Sequence, residues 1–197
     1  MKKVFYRDIT LEIFDQVYEP REDSFLLAEV VEKVLSGGGR RGVVGRSVEV
    51  LDIGTGSGMQ AIIAAKLGAN VVATDINQIA IECAEKNAEK NNVEIDLRKG
   101  DMFWPVRDEK FDLIIFNAPY LPEESAPEEK ELIDYSYAGA GRIKEFLEEY
   151  QNHLKTGGCA LLVFSSLSGI NVLGEIIARK KVAFEEICVA RLTLSQE

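Results

Sequence analysis

Val50-Leu51-Asp52-Ile53-Gly54-Thr55-Gly56-Ser57-Gly58 reads as a buried strand running straight into a glycine-rich turn. Val48 to Ile53 is a near-continuous apolar run broken by Glu49 and Asp52, the pattern of a strand covered on both faces. Glycines at the turn let the backbone come close to a ligand, because no Cβ stands in the way. Outward from this stretch the chain repeats strand then helix. Met59 to Leu67 is a helix of small residues, Asn70 to Thr74 a strand, and Asn77 to Asn91 a helix with Ile81, Ala84 and Ala88 turned inward. Val93 to Arg98 alternates as a strand nearer a sheet edge, and Phe111 to Phe116 is a buried strand. A helix over Arg142 to Leu154, closed by Thr156-Gly157-Gly158, precedes a strand at Cys159 to Ser165. A helix over Ser168 to Lys180 and strand material from Phe184 to Leu194 complete the chain. Upstream, residues 24 to 35 have helical spacing, and Ser36-Gly37-Gly38-Gly39 ends that helix. The alternation predicts an α/β fold, a mostly parallel sheet with helices on both faces. It forms a single domain over residues 1–197, with residues 1–23 packed against it.

Composition narrows the function. Of the 197 residues, 46% are hydrophobic, enough for a full core, and no apolar run approaches the roughly 18 residues that span a bilayer. The opening residues lack the apolar stretch of a signal peptide, so a cytoplasmic protein is expected. Cys83, Cys159 and Cys188 are far apart and read as buried thiols rather than disulfides or zinc ligands. His153 is the one histidine, read as a surface or helix-end residue, and no metal site is expected. The net charge of −10 opposes binding to a phosphate backbone. Arg40-Arg41 with Arg46, and Arg179-Lys180-Lys181, are the only candidates for a local basic patch and read as solvated loop and helix-end charges.

Asp75 ends the second strand, 21 residues beyond Gly54, where a carboxylate can accept both hydroxyls of an adenosine ribose. The dinucleotide fingerprint is GxGxxG, but here Gly54, Gly56 and Gly58 are spaced GxGxG and Met59 follows. Asp52 would also lie close to any pyrophosphate. A ligand joining adenosine to a sulfonium and an ammonium suits these acidic surroundings better, and S-adenosylmethionine is that ligand. Asp101, followed by Met102 and Phe103, is placed to accept from the adenine amino group, though a turn aspartate would look the same.

Asn117-Ala118-Pro119-Tyr120 follows the buried strand 111–116. An amide nitrogen is a poor nucleophile and needs positioning more than deprotonation. The Asn117 side-chain oxygen and the Ala118 carbonyl are two acceptors for the hydrogens of a planar NH2 group, and they would also stabilise positive charge developing on nitrogen. Pro119 holds residue 118 extended, and Tyr120 offers an aromatic face. Alone, the stretch is an ordinary Asn-x-Pro turn; one strand beyond an adenosine site it reads as a methyl-acceptor clamp. The long connection 121–141 after it carries Glu123-Glu124 and Glu128-Glu129-Lys130-Glu131, either a solvated acidic loop or a dock for a basic protein loop.

The motif resembles the (N/D)PPY of amino- and amide-methylating enzymes, and the chain resembles the HemK-type release-factor glutamine methyltransferases. Val17-Tyr18-Glu19-Pro20-Arg21-Glu22-Asp23-Ser24 is similar to the segment that opens their short, activator-dependent branch. The resemblance implies a Rossmann-like class I methyltransferase fold with a seven-stranded sheet. It implies donor contacts from Ser24, Asp52, Gly54, Asp75, Asp101, Met102 and Asn117. It also implies that residues 117–120 hold the glutamine of a release factor's Gly-Gly-Gln loop. A small zinc-binding activator protein is the implied partner; the exposed edge strand around Glu94 to Arg98 is the candidate for its contact, read from the strand's place at the sheet edge. The chain departs from the motif at Ala118, where the family has proline. It also has only about twenty residues before its first helix, against the N-terminal helical domain of bacterial members. Competing readings are N6-methylation of adenine in nucleic acid, which requires a flipped base, protein lysine methylation, for which no base is evident near Asn117, and a silent partner that only binds the donor.

Overall fold

The computed structural model describes residues 2–37, 47–118, 139–166, 168–182 and 185–194. The elements, in order, are β1 (Lys2–Tyr6), β2 (Ile9–Ile13), α1 (Glu22–Ser36), β3 (Glu49–Ile53), α2 (Met59–Lys66), β4 (Asn70–Asp75), α3 (Gln78–Lys90), β5 (Asp96–Lys99), β6 (Phe111–Asn117), α4 (Gly139–Glu149), β7 (Leu154–Ser165), β8 (Glu175–Val182) and β9 (Glu185–Leu192). Seven strands form one sheet in the order β5-β4-β3-β6-β7-β9-β8. The first five of these run parallel, and β9 and β8 are antiparallel additions. From β3 the chain winds outward to β4 and β5, then returns to place β6 and β7 on the other side. The reversal falls between β3 and β6, and sheets of this kind bind ligands at the carboxyl ends of the strands there.

The period of two along each strand splits the core into two layers. Val50, Leu113, Ile115, Leu161 and Val163 face a cluster shared with α1, α2 and the β1–β2 hairpin. Leu51, Ile53, Ile114, Phe116, Leu162 and Phe164 face the other cluster, which α4 closes with Ile143 and Phe146. On that side Phe146 lies 5.0 Å from Phe116 and 5.7 Å from Phe103, ring centre to ring centre. Ile81, Ala84 and Ala88 of α3 are buried as their spacing predicts. All three cysteines are buried, and none is in a disulfide.

The segment before α1 is a hairpin docked by side-chain amides. Asn91 accepts from the Thr10 N–H at 3.1 Å and donates to the Thr10 carbonyl at 2.9 Å. Asn87 repeats the pattern on Glu12, at 2.8 and 3.0 Å. These amides mimic a neighbouring strand, so β2 is paired on one side by β1 and on the other by α3.

Several expectations are corrected. Residues 168–180 are not a helix: 175–182 form β8, an edge strand antiparallel to β9. Gly174 suits this pairing, because a Cβ there would lie 2.5 Å from the Leu192 side chain and 2.9 Å from the Arg191 carbonyl, and its absence lets the chain lie close against β9. Arg179, Lys180 and Lys181 are therefore exposed strand charges, not helix-end ones. His153 stands near a helix end, closing the 3-10 turn after α4, but it is buried rather than on the surface. Its ring stacks on Phe103 at 4.5 Å and its Nδ1 lies 3.0 Å from the Glu109 carbonyl. The turn Thr156-Gly157-Gly158 lies inside β7 instead of closing a helix. Gly158 presses against the Asp112 and Phe111 carbonyls, where a Cβ would lie 3.0 and 3.2 Å away. The cluster Arg40, Arg41 and Arg46 and the acidic run 123–131 lie outside the described residues.

Candidate active site

Four parallel strands end on one side of the sheet, and each delivers an expected site residue. The turn after β3 brings Gly54, Gly56 and Gly58, β4 ends in Asp75, β5 leads to Asp101 and Met102, and β6 ends in Asn117. The N-terminal turn of α1 joins them, carrying Asp23 and Ser24, both buried.

The three glycines do different work. All have positive φ, at 63°, 56° and 82°, a region costly for residues with a Cβ. A Cβ on Gly54 would meet nothing nearer than Phe116 at 3.9 Å, and one on Gly56 nothing nearer than 4.0 Å, so the space above both is open to a ligand. A Cβ on Gly58 would lie 3.1 Å from the Ala84 Cα. Gly58, expected among the cofactor-binding residues, is thus explained by the close packing of α2 on α3.

The carboxylates are poised for partners. Asp52 is 2% exposed, and burial pushes its carboxyl up to about 7 against the lowering effect of the Thr55 hydroxyl and the Ala61 N–H. The Thr55 hydroxyl donates to it at 2.7 Å. Asp75 accepts from the Gly56 N–H at 2.9 Å and the Asn77 N–H at 2.8 Å, and burial again raises its carboxyl. The Ile76 N–H also donates to it, and of the roughly four acceptor sites of a carboxylate about one is left for a ligand. Asp101 is held by the Arg142 guanidinium of α4, 2.9 and 3.0 Å from its two oxygens. Met102 is buried with φ 42°, and Phe103 is turned wholly into the core rather than lying at a ligand's edge.

Asn117 has the clearest geometry. Its Nδ2 donates to Asp23 at 3.0 Å and to the Ser24 hydroxyl at 3.3 Å. Its Oδ1 is buried with no hydrogen-bond partner among the described residues. A buried acceptor left unpaired is costly; Tyr6, Gln60 and Thr74 also carry such atoms, and Asn117 is the one at the end of β6 beside the glycine turn, where a ligand donor can satisfy it. Ala118 is buried beside it; Pro119 and Tyr120 lie outside the described residues. The reading of the sequence named Ser24 but missed Asp23, whose only signal was its place in the segment 17–24.

The open glycine floor, the carboxylate after β4 and the orphaned acceptor after β6 fit an adenosine-bearing methyl donor. Fold and site together define the class: an S-adenosylmethionine-dependent methyltransferase. The chain belongs to the methyltransferase small domain family, whose pattern it matches over residues 26–186. It is similar to a Methanocaldococcus jannaschii protein provisionally named a protein N5-glutamine methyltransferase, 38% identical over 196 residues, covering 92% of this chain and 93% of that one. It is also similar to the release factor glutamine methyltransferase of Gloeobacter violaceus, 29% identical over 188 residues, covering 88% of this chain and 63% of that protein. A crystal structure of a methyltransferase from Pyrococcus furiosus shares the fold, with a TM-score of 0.66 at 22% identity over 94% of this chain and 89% of that one. The family expected from the motifs is the one these relatives represent. No described helix is long and apolar enough to cross a membrane.

Proposed function

We propose that the chain methylates the side-chain amide nitrogen of a glutamine in a protein, with the Gly-Gly-Gln loop of a peptide chain release factor as its substrate. The buried Oδ1 of Asn117, which has no hydrogen-bond partner among the described residues, carries this reading, because it offers an uncharged NH2 group the acceptor it needs at the end of the strand next to the glycine turn. S-adenosylmethionine, when bound, supplies a methyl group on a sulfonium that needs no further activation. Gly54 and Gly56 give the donor a floor, Asp75 accepts from its ribose, and Asp101 with Met102 borders its adenine. Ser24 and Asp52 line the remaining wall. Asn117 and Ala118 accept the two amide hydrogens and turn the nitrogen lone pair outward. They stabilise the charge that builds on nitrogen, and the surplus proton then leaves to water. Residues 1–197 act as one catalytic unit, with the hairpin bracing the wall on which Ser24 sits.

The proposed partner is a small zinc-binding activator at the β5 edge. A cleft of about 640 Å³, lined by Ala65, Val71, Val93, Ile95 and Asp96, supports this choice. β5 has four residues, and its outer edge pairs with no other strand among the described residues. Arg98 is already committed to Asp96 and Glu109, so backbone and apolar contacts would lead.

Asn117→Ala tests the clamp. Methyl transfer is expected to fall at least ~100-fold, the scale of losing one preorganised polar contact, with a far smaller change in donor affinity by calorimetry. A variant with near-normal turnover would overturn the reading.

A further inference from the structure

We propose that Asp23 is a positioning residue that decides which end of the Asn117 amide meets the acceptor. The inference rests on the clamp role proposed for Asn117. An asparagine amide has a donor end and an acceptor end, and a half-turn about its last bond exchanges them. With the ends exchanged, Nδ2 would confront the substrate's NH2, donor against donor, and the clamp would repel what it must hold.

Asp23 blocks that exchange. Its carboxylate is 3% exposed and accepts from Asn117 Nδ2 at 3.0 Å. It also accepts from the Tyr18 hydroxyl, 3.2 and 3.3 Å from the two oxygens, and from the Ser24 hydroxyl at 3.2 Å. A turned Asn117 would aim its oxygen at this carboxylate, acceptor against acceptor in a buried place, which is strongly unfavourable. The carboxylate itself is well placed, since it sits in the first turn of α1 where the helix dipole favours negative charge. That turn is anchored in its own right by Gln60 of α2, whose Nε2 donates to the Ser24 carbonyl at 2.8 Å. The buried segment before α1 therefore serves the chemistry: it holds the polarity of one amide more than 90 residues away in sequence.

The same geometry sets a rule for position 117. An aspartate there has the acceptor oxygen the clamp needs, but in this chain it would meet the Asp23 carboxylate. A reciprocal exchange tests the rule. Four proteins, Asp23→Ala, Asn117→Asp, Asn117→Ala and the double variant Asp23→Asn with Asn117→Asp, are assayed for methyl transfer to the release-factor glutamine. Folding is checked by thermal melting and donor affinity by calorimetry. Asp23→Ala is expected to lower kcat about tenfold or more with donor affinity held within about threefold. Asn117→Asp is expected to be nearly inactive. The double variant is expected to regain about tenfold over it, because the amide introduced at position 23 then donates to the carboxylate introduced at position 117 and restores the polarity. Unchanged kcat in Asp23→Ala, or a double variant no better than Asn117→Asp, would overturn the proposal. Full activity of Asn117→Ala would instead remove the clamp on which it rests, and the proposal with it.

Discussion

Asp52 and Asp75 are carboxylates that folding makes less willing to ionise. The Asp52 carboxyl, about 7 in the folded chain against its usual 3.8, keeps its proton more readily when folded than when unfolded. Its contribution to stability is therefore full below its unfolded value and is lost as pH rises through about 7; Asp75 acts in the same direction. The melting temperature of the donor-free protein is expected to fall between about pH 4 and pH 7, and Asp52→Asn to flatten that fall. A wild-type profile that is flat or rises across the window would contradict the burial argument. Asp75→Ala is expected to weaken donor binding about tenfold or more, since it removes the proposed ribose acceptor and leaves the Gly56 and Asn77 N–H groups without theirs. Unchanged affinity by calorimetry would remove Asp75 from the site. At this scale the sequence was a good guide to residues at strand ends, because turn glycines and a carboxylate 21 residues on leave a linear trace. It was blind to Asp23, whose partner Asn117 is distant in the chain, and to the burial of His153 against Phe103, which depends on α4 folding back.

Elements were legible where period and punctuation agreed. The strands β3, β4, β6 and β7 are apolar runs bounded by turn residues, the helices α1 and α3 carry clean inward faces, and α2 is a run of small and apolar residues buried nearly all round. Residues 168–180 misled because Ile170, Val172, Ile176 and Ile177 suit either a helix or a strand, and pairing with β9 decided between them. The β1–β2 hairpin left a different gap, because its docking uses the polar residues Asn87 and Asn91 on a helix face that looks solvated in sequence. Asn91→Ala is expected to cost about 2–3 kcal/mol in chemical denaturation, since it strands the Thr10 N–H and carbonyl. A loss below about 0.5 kcal/mol would show that the hairpin is held by its apolar contacts alone.

The whole molecule carries a net charge of −10, and that field favours a basic protein loop over a nucleic-acid backbone. Raising salt from about 0.05 to about 0.5 M is expected to raise KM for the protein acceptor several-fold while leaving donor affinity nearly unchanged. An acceptor KM that does not move with salt would remove electrostatic attraction from the account. The class and the sheet were readable from the chain as a whole because alternating strands and helices admit few topologies; the acceptor was not, because a clamp for NH2 groups looks the same for a glutamine and for an adenine. The decisive measurement is transfer of labelled methyl from S-adenosylmethionine by the purified chain, alone and with a small zinc-binding activator, to a release factor, to the same factor with Gln→Ala in its Gly-Gly-Gln loop, and to DNA and RNA. The account predicts label on the intact release factor, none on the Gln→Ala form and none on either nucleic acid. Label on nucleic acid, or label that survives the loss of that glutamine, would contradict it.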